Sequence, residues 1–136
     1  MSAEFVDTNI LVYSHDLSAG FKRERSRELL TRLFDESTGA LSMQVLTEFY
    51  SVVSKRLGMS SDRAEEVLSA LSLWQIHRPE FADLMRAIEL QRRYRISWWD
   101  ALIVNSALQM GAGILWSEDL GDGQRYGSLV VRNPFL

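Results

Sequence analysis

The chain has 136 residues, 46% hydrophobic and 24% charged, the make-up of one soluble globular domain large enough to bury a core without staples. It has no cysteine, which excludes disulfides and thiolate sites; no apolar run approaches the ~18 residues of a membrane span, and the start "MSAEFVDTN" lacks the pattern of a secretory signal, so the cytoplasm is the expected location and no membrane partner is expected. The net charge of −3 argues against a broadly basic nucleic-acid-binding face.

In chain order, "AEFVD" (3–7) reads as a short buried strand and "TNILVYSHD" (8–16) as a short helix. Residues 21–37 carry Leu29, Leu30, Leu33 and Phe34 at helical spacing, with Gly39 as the stop. A second strand follows at 40–42. Residues 43–58 form a helix with a stripe of Val45, Phe49, Val52, Val53 and Leu57, ending in glycine. The next helix, 60–74, opens with Asp62 three residues before Glu65, which resembles a capping box. "WQIHR" (74–78) is a strand, and Pro79 fits the first turn of a helix running to about Arg95. Ser97 caps a helix over 98–110, and "GILWS" (113–117) and "SLVVR" (128–132) are strands separated by a glycine-bearing loop. Strands alternating with helices predict a three-layer α/β/α sandwich with a mainly parallel central sheet, in a single domain spanning 1–136.

Four acids stand where this pattern prefers apolar or neutral residues. Asp7 ends the first strand, and Asp119 follows the apolar "ILW". Both fall at carboxyl ends of strands, where parallel sheets gather ligands. Glu48 sits at the edge of its helix's apolar stripe. Asp100 shares a helical face with Ile103, Val104 and Ala107, while Asn105, Ser106 and Gln109 fall on roughly the opposite side. An inward carboxylate is costly unless paired. Each acid also has an ordinary reading: Asp7 as a helix N-cap, Ser97 and Asp100 as a capping box, Glu48 as a half-exposed residue bonded near Gln44 or Ser51, and Asp119 as a turn residue.

One metal site accounts for all four acids together. With no cysteines, and with His15 and His77 lacking metal-ligand spacing, the donors are hard carboxylate oxygens, which suit Mg²⁺ or Mn²⁺. Clustered anions raise one another's pKa values, and a divalent cation removes that penalty. Such ions activate water and stabilise leaving oxygens in phosphoryl transfer.

At these residues the sequence resembles the PIN-domain nucleases, in particular VapC-type toxins of prokaryotic toxin–antitoxin pairs. The matching segments are "FVDTNILVY", "SMQVLTEFYSVVSKR", "SWWDALIVNSAL" and "ILWSEDLGDGQ", in the family's order and across almost the whole chain. The resemblance implies a Rossmann-like fold and a Mg²⁺- or Mn²⁺-dependent ribonuclease. In that reaction a metal-activated water attacks the RNA phosphodiester in line and leaves a 5′-phosphate and a 3′-hydroxyl. It carries the acidic roles onto Asp7, Glu48, Asp100 and Asp119. Asp7 and Asp100 are then the favoured direct ligands, Glu48 binds a second ion or orients water, and Asp119 completes the pocket. Asn9 and Ser117 match supporting polar positions. Where the family often has Thr, this chain has Ser117; where it often has a further acid, this chain has Gly121 followed by Asp122. Glu118 and Asp122 are therefore alternatives that share or replace the role of Asp119. The resemblance also implies a homodimer and a small antitoxin whose tail covers the acidic pocket.

Other features keep two readings. Trp98 and Trp99 suit either core and interface packing or base stacking, while Trp74 and Trp116 suit the core. The basic residues, 13 of 15 of them Arg, run together at 22–25 and 92–95 and suit either solvated helix faces or phosphate contacts; residues 21–34 also suit an antitoxin groove. His15, after the first helix, suits either a surface position or an approach to the site, with the surface reading favoured, and the C-terminal "NPFL" reads as an apolar end packed on the body. A DNA-directed nuclease or phosphatase on the same acids, and a non-catalytic binding module, are the competing functions. Asp7 is followed by Thr8 and Asn9, so the D-x-D start of a phosphotransferase is missing.

Overall fold

In the computed structural model, which describes residues 2–136, six strands form one sheet in the order β3-β2-β1-β4-β6-β5. They are β1 (Glu4–Val6), β2 (Gly39–Ser42), β3 (Gln75–His77), β4 (Ile114–Trp116), β5 (Arg125–Tyr126) and β6 (Leu129–Arg132). All neighbours are parallel except β5, which pairs antiparallel with β6. Phe5, Val6, Ala40, Leu41 and Leu115 are fully buried, as expected of parallel strands covered on both faces.

The helices are α1 (Thr8–Tyr13), α2 (Phe21–Glu36), α3 (Met43–Lys55), α4 (Ser61–Leu71), α5 (Phe81–Tyr94) and α6 (Trp98–Gln109). From β1 the chain steps through β2 to β3 in one direction, then returns past both to β4. Because such crossovers are right-handed, the return places α5 and α6 on the face opposite α1 to α4. The point of reversal lies between β1 and β4, and a crevice opens there at the carboxyl ends of the strands. The register sets Val6 beside Trp116, which brings Asp7 level with Ser117. Among the described residues no helix is long and apolar enough to cross a membrane.

Several local expectations are corrected by the structure. Helix α2 is ended by Ser37, which adopts a left-handed conformation (φ 57°) and donates its N–H to the carbonyls of Leu33 and Phe34. Gly39 instead opens β2, where a Cβ would lie 2.2 Å from the Trp74 ring. Gly39→Ala is therefore expected to lower stability by about 2 kcal/mol through overpacking, read as a lower midpoint in urea denaturation. Helix α4 is capped by Ser60, whose hydroxyl accepts the Arg63 N–H, rather than by Asp62. Pro79 precedes α5, whose N-cap is Glu80 in a reciprocal capping box with Asp83. The loop after β4 holds the two-residue strand β5, which the sequence pattern does not reveal.

Helix α6 is the largest departure. Asn105 and Ser106, expected on a polar face, are 2% and 4% exposed, because α6 is covered by the sheet on one side and by α5 on the other. Both are satisfied by hydrogen bonds. The Asn105 amide donates to Asp83 Oδ1 (2.9 Å), and Ser106 Oγ lies 2.8 Å from His77 Nδ1. Buried Asp83 also accepts from the Glu80 N–H and stands 3.4 Å from His77 Nε2 and from Arg86. This network ties α6 to α5 and β3, as a satisfied buried polar cluster must.

Candidate active site

Asp7 follows β1 directly and serves as the N-cap of α1. Its Oδ1 accepts the Thr8 N–H (2.8 Å), and its Oδ2 accepts the hydroxyl of fully buried Ser117 (2.9 Å). Ser117 Oγ also accepts the Asp119 N–H (3.1 Å), so one hydroxyl sets both the Asp7 carboxylate and the turn that carries Asp119. Asp119 Oδ2 accepts from the Asn9 amide at 3.3 Å. Glu48, on α3, accepts the Thr8 hydroxyl (2.8 Å) and the Gln44 amide one helical turn away (2.9 Å). The capping and helix-face readings of Asp7 and Glu48 are thus true locally. The same bonds also aim the two side chains at one cleft.

That cleft, of about 270 Å³, is lined by Asp7, Thr8, Asn9, Glu48 and Asp119 among others. Asp100 is half-buried on the first turn of α6 and is not part of this lining. Ser97 accepts the Asp100 N–H (3.1 Å), but among the described residues no protein group donates to the Asp100 carboxylate. Its charge acts on Asp119 and Tyr126, adding to the rise that burial causes in both pKa values. The capping box is only half formed, which leaves the Asp100 side chain free for another task.

The acids repel one another. Burial drives the Asp7 pKa from 3.8 to about 6, against the lowering effect of Ser117 and Thr8, and the charges of Asp119 and Glu48 add to the rise. Burial also raises the pKa of Asp119, helped by Glu118, Asp100 and Glu48. Among the described residues no three acids or histidines stand close enough to form a ready-made cage for an ion. Mg²⁺ does not require one, since it keeps several waters and is held through one or two carboxylates. The all-oxygen donor set and the mutual repulsion would suit a hydrated Mg²⁺ or Mn²⁺, which Asp7, Glu48, Asp100 and Asp119 would hold.

The two alternative acids are engaged elsewhere. Glu118 Oε2 accepts from Lys22 Nζ (2.8 Å), and its Oε1 accepts the Tyr13 hydroxyl. Asp122 Oδ1 accepts the Asn133 N–H (2.9 Å). The sequence reading missed Thr8, which joins the Asp7 cap to Glu48; its place inside "DTN" marked a polar turn but gave no sign of a partner 40 residues away. It also missed Tyr94 and Tyr126, stacked edge to face at 4.8 Å close to Asp100. Trp98 is half-buried and Trp99 is 63% exposed, whereas Trp74 and Trp116 pack against the core. His15 is half-buried edge-on to Phe49 rather than on the surface, with its pKa lowered by burial and by Arg63, Arg27 and Arg23.

A mainly parallel α/β sandwich with hydrogen-bonded carboxylates at its switch point places an acidic cluster where such sheets gather ligands. The PIN domain family model matches residues 5–121, and the chain belongs to the PIN domain family. No curated protein matches it in sequence. Among solved structures it is similar to a chain of a toxin–antitoxin complex from Klebsiella pneumoniae, at 25% identity and a TM-score of 0.68, with 98% of each chain covered. It also shares its fold with VapC20 of Mycobacterium tuberculosis, a sarcin–ricin loop cleaving toxin (17% identity, TM-score 0.64, 83% of this chain and 87% of that one). A third likeness is to a DNA-bound VapBC from Salmonella typhimurium (18% identity, TM-score 0.65, 98% and 99% covered).

Proposed function

We propose that the protein is a Mg²⁺- or Mn²⁺-dependent endoribonuclease, a single nuclease domain acting in the cytoplasm as the toxin of a toxin–antitoxin pair. The observation that carries this reading is buried Asp7, held by Ser117 and Thr8 and facing Asp119 and Glu48 in one cleft, in a chain of the PIN domain family.

A divalent ion bound there supplies an activated water and stabilises the leaving oxygen of the phosphodiester. The chain's own residues hold the remaining geometry. Ser117 and the Thr8 N–H keep Asp7 in one rotamer, Asn9 steadies Asp119, and Thr8 with Gln44 orients Glu48. Among the described residues no protein group donates to the Asp100 carboxylate, whose charge acts on Asp119 from α6. The pocket's negative charge would repel the phosphate until a cation balances it, which supports metal dependence.

The similar toxin–antitoxin and VapBC structures support a small antitoxin partner, and a homodimer belongs to the same proposal. Phe81, Leu84 and Met85 lie at helical spacing on α5 and are 74%, 40% and 45% exposed, a strip suited to a protein interface.

The test is cleavage of single-stranded, transfer and ribosomal RNA by the purified chain, with Mn²⁺, with Mg²⁺ and with a chelator, beside DNA of the same sequence. Metal-dependent cleavage confined to RNA is expected. Cleavage of DNA alone identifies a DNA-directed enzyme, and a failure to bind either ion identifies a non-catalytic module. Expression with the neighbouring gene product followed by size-exclusion chromatography reads the antitoxin and dimer directly.

A further inference from the structure

Glu118 and Asp119 are adjacent, yet they face different surroundings. Asp119 lines the acidic cleft, and Glu118 does not. Instead the Glu118 carboxylate is bound at both oxygens, by the Tyr13 hydroxyl from the last residue of α1 and by Lys22 from the first turn of α2. The Lys22 side chain, 39% exposed, also borders two aromatic faces. Its ammonium sits 5.1 Å from the Tyr13 ring centre and 5.3 Å from that of Phe135. Phe135 meets Tyr13 and Phe21 edge to face at 5.5 and 6.2 Å. The carboxylate and the two rings together favour the cation in this position.

This cluster also completes a clamp on α1. At its first turn, Asp7 and Asn9 bind Ser117 and Asp119; at its last residue, Tyr13 binds Glu118. The loop after β4 is therefore fixed to α1 at both ends. Without Lys22, an uncompensated Glu118 would stand beside a pocket already lined by three acids, Asp7, Glu48 and Asp119, and would be drawn toward any divalent cation bound there.

We propose that Lys22 is a positioning residue for the acidic site: supported by Tyr13 and Phe135, it holds Glu118 outside the cleft so that Asp119 alone of the pair serves the metal. The inference rests on the metal-nuclease reading. In this role Lys22 acts through Glu118, and its charge is also felt directly at Asp119.

The experiment is a double-mutant cycle on Lys22 and Glu118, read by calorimetric titration with Mn²⁺ and by RNA cleavage. Lys22→Met keeps the apolar stem between the rings and removes the charge. Added negative charge tightens cation binding, so Mn²⁺ is expected to bind about threefold more tightly, while kcat falls about tenfold because the ion is drawn off position. In Lys22→Met/Glu118→Gln both changes should return to the values of Glu118→Gln alone, and Lys22→Arg should recover most of the loss. A purely structural contact would lower the melting temperature of Lys22→Met without altering Mn²⁺ affinity, and that result overturns the proposal. So does a double variant as impaired as Lys22→Met. If Lys22→Met does not fold, Tyr13→Phe, which removes only one donor to Glu118, must shift Mn²⁺ affinity in the same direction; no shift overturns the proposal. Wild-type protein that binds no Mn²⁺ overturns the nuclease reading together with this one, whereas Mn²⁺ binding left unchanged by Lys22→Met overturns this one alone.

Discussion

Asp7→Asn and Asp100→Asn are each expected to lower metal-dependent RNA cleavage by about 10³-fold, equivalent to about 4 kcal/mol of transition-state stabilisation. Both replacements keep the side-chain shape and remove the charge. At position 7 the amide oxygen can still cap Thr8, and the amide nitrogen can donate to Ser117 where the carboxylate accepted. The fold should survive, and the loss then reports the missing anion. At position 100 no protein hydrogen bond is sacrificed, since the carboxylate has no donor among the described residues, and its repulsion of Asp119 is relieved. Circular dichroism should match the wild type in both cases while single-turnover cleavage with Mn²⁺ collapses. Undiminished cleavage in both variants would remove the acidic cleft from the chemistry.

The second large effect is on stability, and its sign is opposite. The Asp7 pKa stands at about 6 in the folded chain against 3.8 in the reference state. The folded protein therefore binds more protons than the unfolded chain between these values, and stability falls as pH rises through that window. Below pH 3.8 the group is protonated in both states and costs nothing. Above about 6 the full penalty is present, about 3 kcal/mol from the difference between the two values. Asp7→Asn should therefore melt about 10 °C above the wild type at pH 7.5 in chelator, and the gap should close below pH 4. Mn²⁺ should raise the wild-type midpoint at pH 7.5 by mass action and leave that of Asp7→Asn nearly unmoved. A variant that melts below the wild type at neutral pH would show that the Asp7 carboxylate stabilises the fold rather than straining it. The same substitution is thus expected to destroy activity and strengthen the fold, the pattern of a site whose charge is kept for function.

The alternation of short apolar strands with amphipathic helices was readable because each signal is local. Phe5 and Val6, or Val45, Phe49 and Val53, show their burial through spacing alone. The acids were readable as candidates for a similar reason: Asp7, Asp100 and Asp119 interrupt a local pattern at an element's end, and Glu48 stands at the edge of an apolar stripe. Helix α6 was misread on one side. A helix between a sheet and a second helix has no solvent face at Asn105 and Ser106, and periodicity cannot show that a polar residue is buried when its partners, Asp83 and His77, come from other elements. Strand β5 was invisible because two residues, one of them exposed Arg125, carry no periodicity.

The amino-acid sequence by itself determined the elements, their α/β order and the acids offered to a site, because backbone preference and side-chain spacing act over a few residues. Only the tertiary structure decided which acids meet and which are held away. Parallel pairing of Val6 with Trp116 set Asp7 beside Ser117 across 110 positions of chain, and the packing of α1, α2 and the C-terminal segment turned Glu118 to Lys22 while Asp119 turned to the cleft. The physical reason is that such pairings depend on sheet register and helix docking, which are sums over the whole core and leave no mark at either residue alone.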